Sequence, residues 1–137
     1  MNEPEPFVLR PSDIDALDRG GGVRTVRLVT QTLGSTGFVN GITTFAAGAE
    51  LPLHFHNCDE SVLVLAGNGV AEIEGAIHEM TRDDLSFIPA GVAHRFRNAS
   101  DCEELKIFWT YASIDADRTI VATGQTRRID SERSAEG

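Results

Sequence analysis

The sequence predicts an all-β domain, and three observations carry that reading. Short apolar runs with period-2 alternation recur from Val23 to Tyr111. Turn signals such as Gly67-Asn68-Gly69 and Pro89-Ala90-Gly91 separate them, roughly every ten residues. No stretch carries the 3.6-residue period of a long amphipathic helix. About nine to eleven short strands in this arrangement mean a β-sandwich or a jelly-roll barrel, and periodicity alone leaves the two undecided.

Taken in order, the chain starts polar and Pro-interrupted. Ser12–Leu17 is expected to form a short helix capped by Ser12, ended by Gly20-Gly21-Gly22. Val26, Leu28 and Thr30 alternate with polar positions, consistent with period 2. Phe38–Phe45 is rich in β-branched and aromatic side chains, and Gly48 punctuates before Leu51–His56. Ser61–Leu65 is a continuous apolar run, of the kind that is buried on both faces or faces a core on one side and a partner on the other. Val70–Glu74 alternates apolar with acidic residues, and Glu74-Gly75 reads as a hairpin tip leading into Ala76–Met80. Leu85–Ile88, Ala93–Asn98 and Glu104–Tyr111 follow, with a weaker strand at Thr119–Ala122. From Gly124 onward the chain is charged and expected to fray or drape over the surface. This gives an N-terminal arm (1–22), a β domain (23–122) and a polar tail (123–137).

Size and charge narrow the function. A chain of 137 residues makes one domain that buries about two thirds of its extended surface without disulfides or structural metal. Twenty-one acidic residues against 12 basic ones leave a net charge of −9. That disfavours nucleic acid and anionic membrane surfaces as partners, since both are bound by basic clusters. Cys58 and Cys102 are too few for a disulfide framework. Without a signal-peptide pattern or a spanning apolar run, the chain is expected in the cytoplasm.

The chemistry concentrates on histidine. In His54-Phe55-His56 the two imidazoles share one face of a strand, because residues i and i+2 point the same way. Asn57-Cys58-Asp59 is a loop that can return Glu60 toward them. His94 stands on a later strand, behind the Pro89-Ala90-Gly91 turn. Neutral imidazoles with one carboxylate suit a divalent transition ion such as Fe, Mn, Ni or Zn, rather than the all-oxygen shell of Ca or Mg. Four protein donors on an octahedral ion leave two positions for substrate.

The residues Gly48-x5-His54-x-His56-x3-Glu60-x6-Gly67 and Pro89-x-Gly91-x2-His94-x3-Asn98 resemble the two motifs of the cupin superfamily. The likeness covers about residues 40–112. It departs at one position, where Asp83 stands in place of the second motif's opening glycine; Asp tolerates turn geometry. The resemblance implies an antiparallel jelly-roll barrel, the double-stranded β-helix, and a homodimer. It places His54, His56, Glu60 and His94 in the metal shell, makes Gly67, Pro89 and Gly91 turn formers, and leaves Asn98 to end or brace a strand.

Parity assigns the surroundings. Phe96 shares the His94 face and should line the pocket, while Arg95 and Arg97 point away. Trp109 and Tyr111 share one face of the last strong strand, where they form either an aromatic pocket wall or packing in the core or at a dimer interface; Tyr111 is also a candidate acid or base beside Glu60. Arg24 and Arg27 lie on opposite faces, so at most one reaches the interior. Phe38, Phe45, Phe87 and Phe108 are expected in the core. Cys58 reads as a thiol on the outside of its loop, and His78 as an exposed strand residue outside the site. These readings converge on a metal-binding cupin acting on a small oxygenated molecule, in a dioxygenase-like reaction. The alternatives are an isomerase or decarboxylase on the same ion, or a small-molecule-binding protein without catalysis.

Overall fold

The structure is a computed structural model and describes residues 3–131. Twelve strands follow in chain order: β1 Leu17–Gly20, β2 Val23–Arg27, β3 Val39–Phe45, β4 His54–His56, β5 Glu60–Ala66 and β6 Asn68–Ile73. Then come β7 Ala76–Thr81, β8 Leu85–Ile88, β9 His94–Asn98, β10 Leu105–Tyr111, β11 Asp117–Ile120 and β12 Thr126–Arg128. They form two six-stranded sheets in the orders β1-β2-β3-β10-β5-β8 and β12-β11-β4-β9-β6-β7. All pairings are antiparallel, and the fold is a jelly-roll barrel.

The core lies between the sheets, and period 2 decides what enters it. On β10 every second residue, Leu105, Ile107, Trp109 and Tyr111, is buried. On β5 the same holds for Glu60, Val62 and Val64, and on β9 for His94, Phe96 and Asn98. Two features of the backbone shape the interior and its rim. Gly41 lies opposite Trp109, and a Cβ there would meet the indole at 2.4 Å and the Val26 carbonyl at 2.6 Å. The bare glycine lets the indole lie across β3, where its Nε1 donates to Thr43 Oγ1 at 2.8 Å. The β6–β7 hairpin closes through Glu74 (φ 50°) and Gly75 (φ 79°), both left-handed as a two-residue type I′ turn requires.

Asn98 braces three segments. Its Nδ2 donates to the carbonyls of Phe45, Ala46 and Glu103 at 2.7–3.1 Å, and its Oδ1 accepts from Ser100 N–H. Asp83 adopts φ 76°, the left-handed geometry a glycine would otherwise supply at that turn.

Several expectations are corrected. Residues 12–17 do not form a helix: a 3-10 turn spans Pro11–Asp13, and Leu17–Gly20 pairs with β2. The run Gly20-Gly21-Gly22, all at positive φ, folds this segment back onto the sheet. A free sheet edge thereby outweighs the weak local helix signal. On β2 the buried residues are Val23 and Thr25, and Thr25 is held opposite Thr43 on the inner face. Of the two alternatives for the segment after Gly124, the described residues are draped rather than frayed: exposed β12 pairs with β11, and only Ile129 turns inward and is buried. The rest of that tail lies outside the described residues. Phe45 is in the core, but Phe38 and Phe87 are exposed and Phe108 is half-buried on the outer face. Cys58 is not on the outside of its loop: it packs half-buried against the core, and burial pushes its thiol pKa up.

Candidate metal centre

Three strands bring the chemistry to one point inside the barrel. β4 carries His54 and His56, β9 carries His94 directly opposite His54, and Glu60 opens β5. All four side chains are buried. The ring centroids stand 4.4 Å (His54–His94), 4.9 Å (His54–His56) and 5.2 Å (His56–His94) apart. One ligand nitrogen from each ring lies within 4.8 Å of the others. Glu60 Oε1 sits 2.9 Å from His94 Nε2 and 3.4 Å from His56 Nε2.

Each ring is held the same way. Nδ1 donates to a backbone carbonyl: His54 to Pro52 (2.7 Å), His56 to Asp117 (2.8 Å) and His94 to Val92 (2.9 Å). A carbonyl only accepts, so each Nδ1 carries a proton, and a ring in its neutral form has its lone pair on Nε2. His56 Nε2, His94 Nε2 and Glu60 Oε1 are buried without a hydrogen-bond partner: the contacts between them are close but not directed as hydrogen bonds. Lone pairs facing one another in a buried space require a cation between them. The residues therefore fit a divalent transition ion, with backbone carbonyls behind the rings fixing the tautomers as such sites require.

Two groups of the cluster are shifted from their ordinary values. Burial holds His54 well below its ordinary value, and the charge of Arg118 lowers it further, so the ring stays neutral. Burial pushes the Glu60 carboxyl up. In the metal-free cluster, the positive charge of His56 in its protonated form and its polar contact, followed by those of His94, outweigh burial and bring the carboxyl down to about 2.

The aromatic residues around the cluster stand where strand parity puts them. Tyr111 lies opposite Glu60 in the β5–β10 register, its ring 4.5 Å from that of His56. Trp109 is 4.9 Å from Tyr111, and Phe96 is 6.3 Å from His94. With His54, Glu60 and His94, all three line one narrow cavity. Arg95 and Arg97 face outward, where Glu72 and Glu50 lie 3.4–3.9 Å away. His78 is exposed on β7, away from the cluster.

Sequence reasoning misses two cavity residues. Arg19 on β1 and Arg118 on β11 are buried, at 3% and 5% exposure, and line the same space as the histidines. The signal for Arg118 is its period-2 relation to Ile120 in the weakest strand of the sequence. It lies directly opposite His56, so the two side chains share the inner face. The expected helix over 12–17 hides Arg19. Of the two β2 arginines, Arg27 faces the cavity, while Arg24 is outside with its Nη1 2.9 Å from Glu104.

A jelly roll whose inner wall gathers three such histidines is the architecture of the cupins. The family model for the cupin domain matches residues 41–111, and the chain belongs to that family. A Streptomyces cyaneus protein named polyketide synthase CurC is 30% identical over 110 residues, 79% of this chain and 71% of that protein. Protein SchB of Streptomyces halstedii is 33% identical over 109 residues, 79% of each. Among solved structures, the polyketide cyclase RemF from Streptomyces resistomycificus superposes with a TM-score of 0.73 at 18% identity, covering 96% of this chain and 92% of that one. At that identity the likeness shows the fold.

Proposed function

We propose that the protein is a mononuclear metal-dependent enzyme acting on a small oxygenated organic molecule. In this reading His54, His56, Glu60 and His94 hold one divalent transition ion, with Fe, Mn, Ni and Zn all suited to the nitrogen–oxygen donor set. One observation carries it: imidazoles with Nδ1 committed to carbonyls present Nε2 to each other and to a buried carboxylate oxygen, with no hydrogen bond among them. Such an ion supplies Lewis acidity and open positions for a substrate with two oxygen donors, with or without dioxygen.

The protein's own residues do the remaining work. Glu60, ionised throughout the neutral range, offsets the ion's charge. Phe96 and Trp109 give the substrate's apolar body a wall and keep water from it. Tyr111 stands beside His56 and Glu60 and can hold or pass a proton at its phenol oxygen.

A dioxygenase-type reaction is the first reading. The names of the similar proteins favour a second, ring closure on a polyketide-like substrate, whose repeated β-carbonyls offer pairs of oxygen donors. The test loads the purified protein separately with iron, manganese, nickel and zinc, because expression conditions alone can load the wrong ion. Oxygen uptake and substrate loss are then followed with a catechol and a 1,3-diketone. Oxygen uptake matched to substrate loss supports the first reading, and substrate loss without oxygen supports the second. Full metal occupancy with neither would leave a binding protein and overturn the enzyme.

A further inference from the structure

Two of the three imidazoles are steadied by carbonyls only two residues earlier in the chain, Pro52 for His54 and Val92 for His94. His56 differs. Its Nδ1–H goes to the carbonyl of Asp117, 61 residues away on β11. The aim of its ring therefore depends on where another strand begins. β11 runs antiparallel to β4 with Thr119 opposite Phe55 and Arg118 opposite His56, so Asp117 opposite Asn57 is next in register. β4 ends at His56, and side chains take over that rung. Asn57 Oδ1 accepts Asp117 N–H at 2.9 Å, and the His56 ring donates to the Asp117 carbonyl at 2.8 Å. Asn57 Nδ2 donates to the Asp115 carbonyl at 3.1 Å. In an extended strand the N–H and C=O of one residue point to the same edge, so a group that holds the Asp117 N–H also directs its C=O.

We propose that Asn57 is a positioning residue: by fixing Asp117, its amide sets the direction in which His56 presents Nε2 to the cluster. A ring whose Nδ1–H is held by a carbonyl keeps its other nitrogen aimed, and loss of such support weakens a metal site. The loop before β11 has further anchors. Ser113 Oγ accepts Asp115 N–H at 2.9 Å, Arg128 Nη1 lies 3.2 Å from Asp115 Oδ1, and β12 pairs with β11. Removing the Asn57 amide thus loosens Asp117 and leaves the barrel folded. The inference rests on the proposed function for the ion that Nε2 serves, and not for the hydrogen bonds that aim the ring.

Nuclear magnetic resonance of the isotope-labelled, metal-free full chain tests it through solvent exchange of the ring Nδ1 protons. In the wild type those of His54, His56 and His94 should exchange at least about tenfold more slowly than that of exposed His78. Asn57→Ala should speed His56 exchange about tenfold and leave His54 and His94 within about twofold, because their carbonyls are local. Asn57→Asp, which keeps the oxygen that takes Asp117 N–H, should restore slow exchange at His56. Ser113→Ala, which cuts a different hydrogen bond of the same loop, should leave all three rings as in the wild type. Zinc affinity, measured by competition with a chelator, should fall about tenfold in Asn57→Ala and stay unchanged in Ser113→Ala.

Fast exchange at His56 in the wild type overturns the proposal, as does an unchanged His56 proton in Asn57→Ala. An equal rise at all three rings, or the same rise in Ser113→Ala, overturns it too, since Asn57 would then only stiffen the loop. A folded Asn57→Asp that leaves His56 exchanging fast refutes the path through Asp117. Should Asn57→Ala misfold, Asn57→Leu, alike in shape and without hydrogen-bonding atoms, is read by the same criteria. If the exchange pattern is as expected but the wild type binds no zinc, iron, manganese or nickel, the positioning role stands and the proposed function fails.

Discussion

At the scale of single residues, the tautomer decides the chemistry. Each histidine ring is useful to a cation only while its Nδ1–H is taken by a carbonyl. Replacing His56 with alanine should abolish stoichiometric metal while far-UV circular dichroism shows the barrel intact. Replacing His78, exposed on the outer strand, should leave metal content unchanged, as elemental analysis of both variants will show. Acid works in one direction on the two shifted groups. His54 is depressed, so below about pH 6.5 the unfolded chain binds a proton that the folded chain refuses, and stability falls. Glu60 is depressed too, from 4.5 to about 2, so its contribution is present above 4.5 and lost as pH falls toward 2. Urea midpoints of the metal-free protein should therefore drop in two stages on acidification, the first below pH 6.5. A midpoint that holds level from about pH 7 to about pH 5 would contradict the His54 assignment.

Strands and turns raise different questions, of close approach and backbone conformation. Gly41→Ala drives a methyl group into the indole of Trp109 and the Val26 carbonyl, and backbone on one side leaves it no retreat. The expected cost is about 2–4 kcal/mol, read as a lower unfolding midpoint with altered tryptophan emission. Asn98→Ala removes the donor to three carbonyls at the junction of β3, β9 and β10, at a cost of about 2–3 kcal/mol. Asp83→Gly has the opposite sign. The residue already sits at φ 76°, so glycine relieves left-handed strain and should stabilise by up to about 1 kcal/mol. A destabilised Asp83→Gly protein would mean that the aspartate side chain supports the turn in a way its backbone does not reveal.

Over the whole molecule, the C-terminal segment closes what the N-terminal strands open. Arg27 reaches Ile129 and Asp130, Ile129 lines the cavity with Leu17, and β12 extends the sheet that carries His54, His56 and His94. Ile129→Ala should therefore cost about 2–4 kcal/mol although it lies near the end of the described chain. Its unfolding should remain one cooperative transition. A loss below about 0.5 kcal/mol would show that this segment is not part of the barrel's stability. Among the described residues no helix is long and apolar enough to cross a membrane.

The strand pattern and the shared face of His54 and His56 were legible in the sequence because each rests on short-range geometry, whereas Glu60 and His94 became candidates through the likeness to the cupin motifs. Period 2 puts His54 with His56 and His94 with Phe96, whatever the sheets do later. The turns at Gly67, Glu74-Gly75 and Pro89-Ala90-Gly91 are likewise properties of a few adjacent residues. Pairing across the barrel was not legible. Leu17–Gly20 is a strand only because β2 offers an edge, β2 turns Thr25 inward only because Thr43 faces it, and Phe87 is exposed because β8 is itself an edge. The two buried arginines of the cavity belong to the same class. Arg19 and Arg118 are 99 positions apart in the chain, and only the closing of two sheets brings both residues to one cavity. The sequence by itself determined which donors share a face of each strand. Tertiary structure alone decided which faces meet, because long-range pairing depends on the fit of whole sheets rather than on neighbours in the chain.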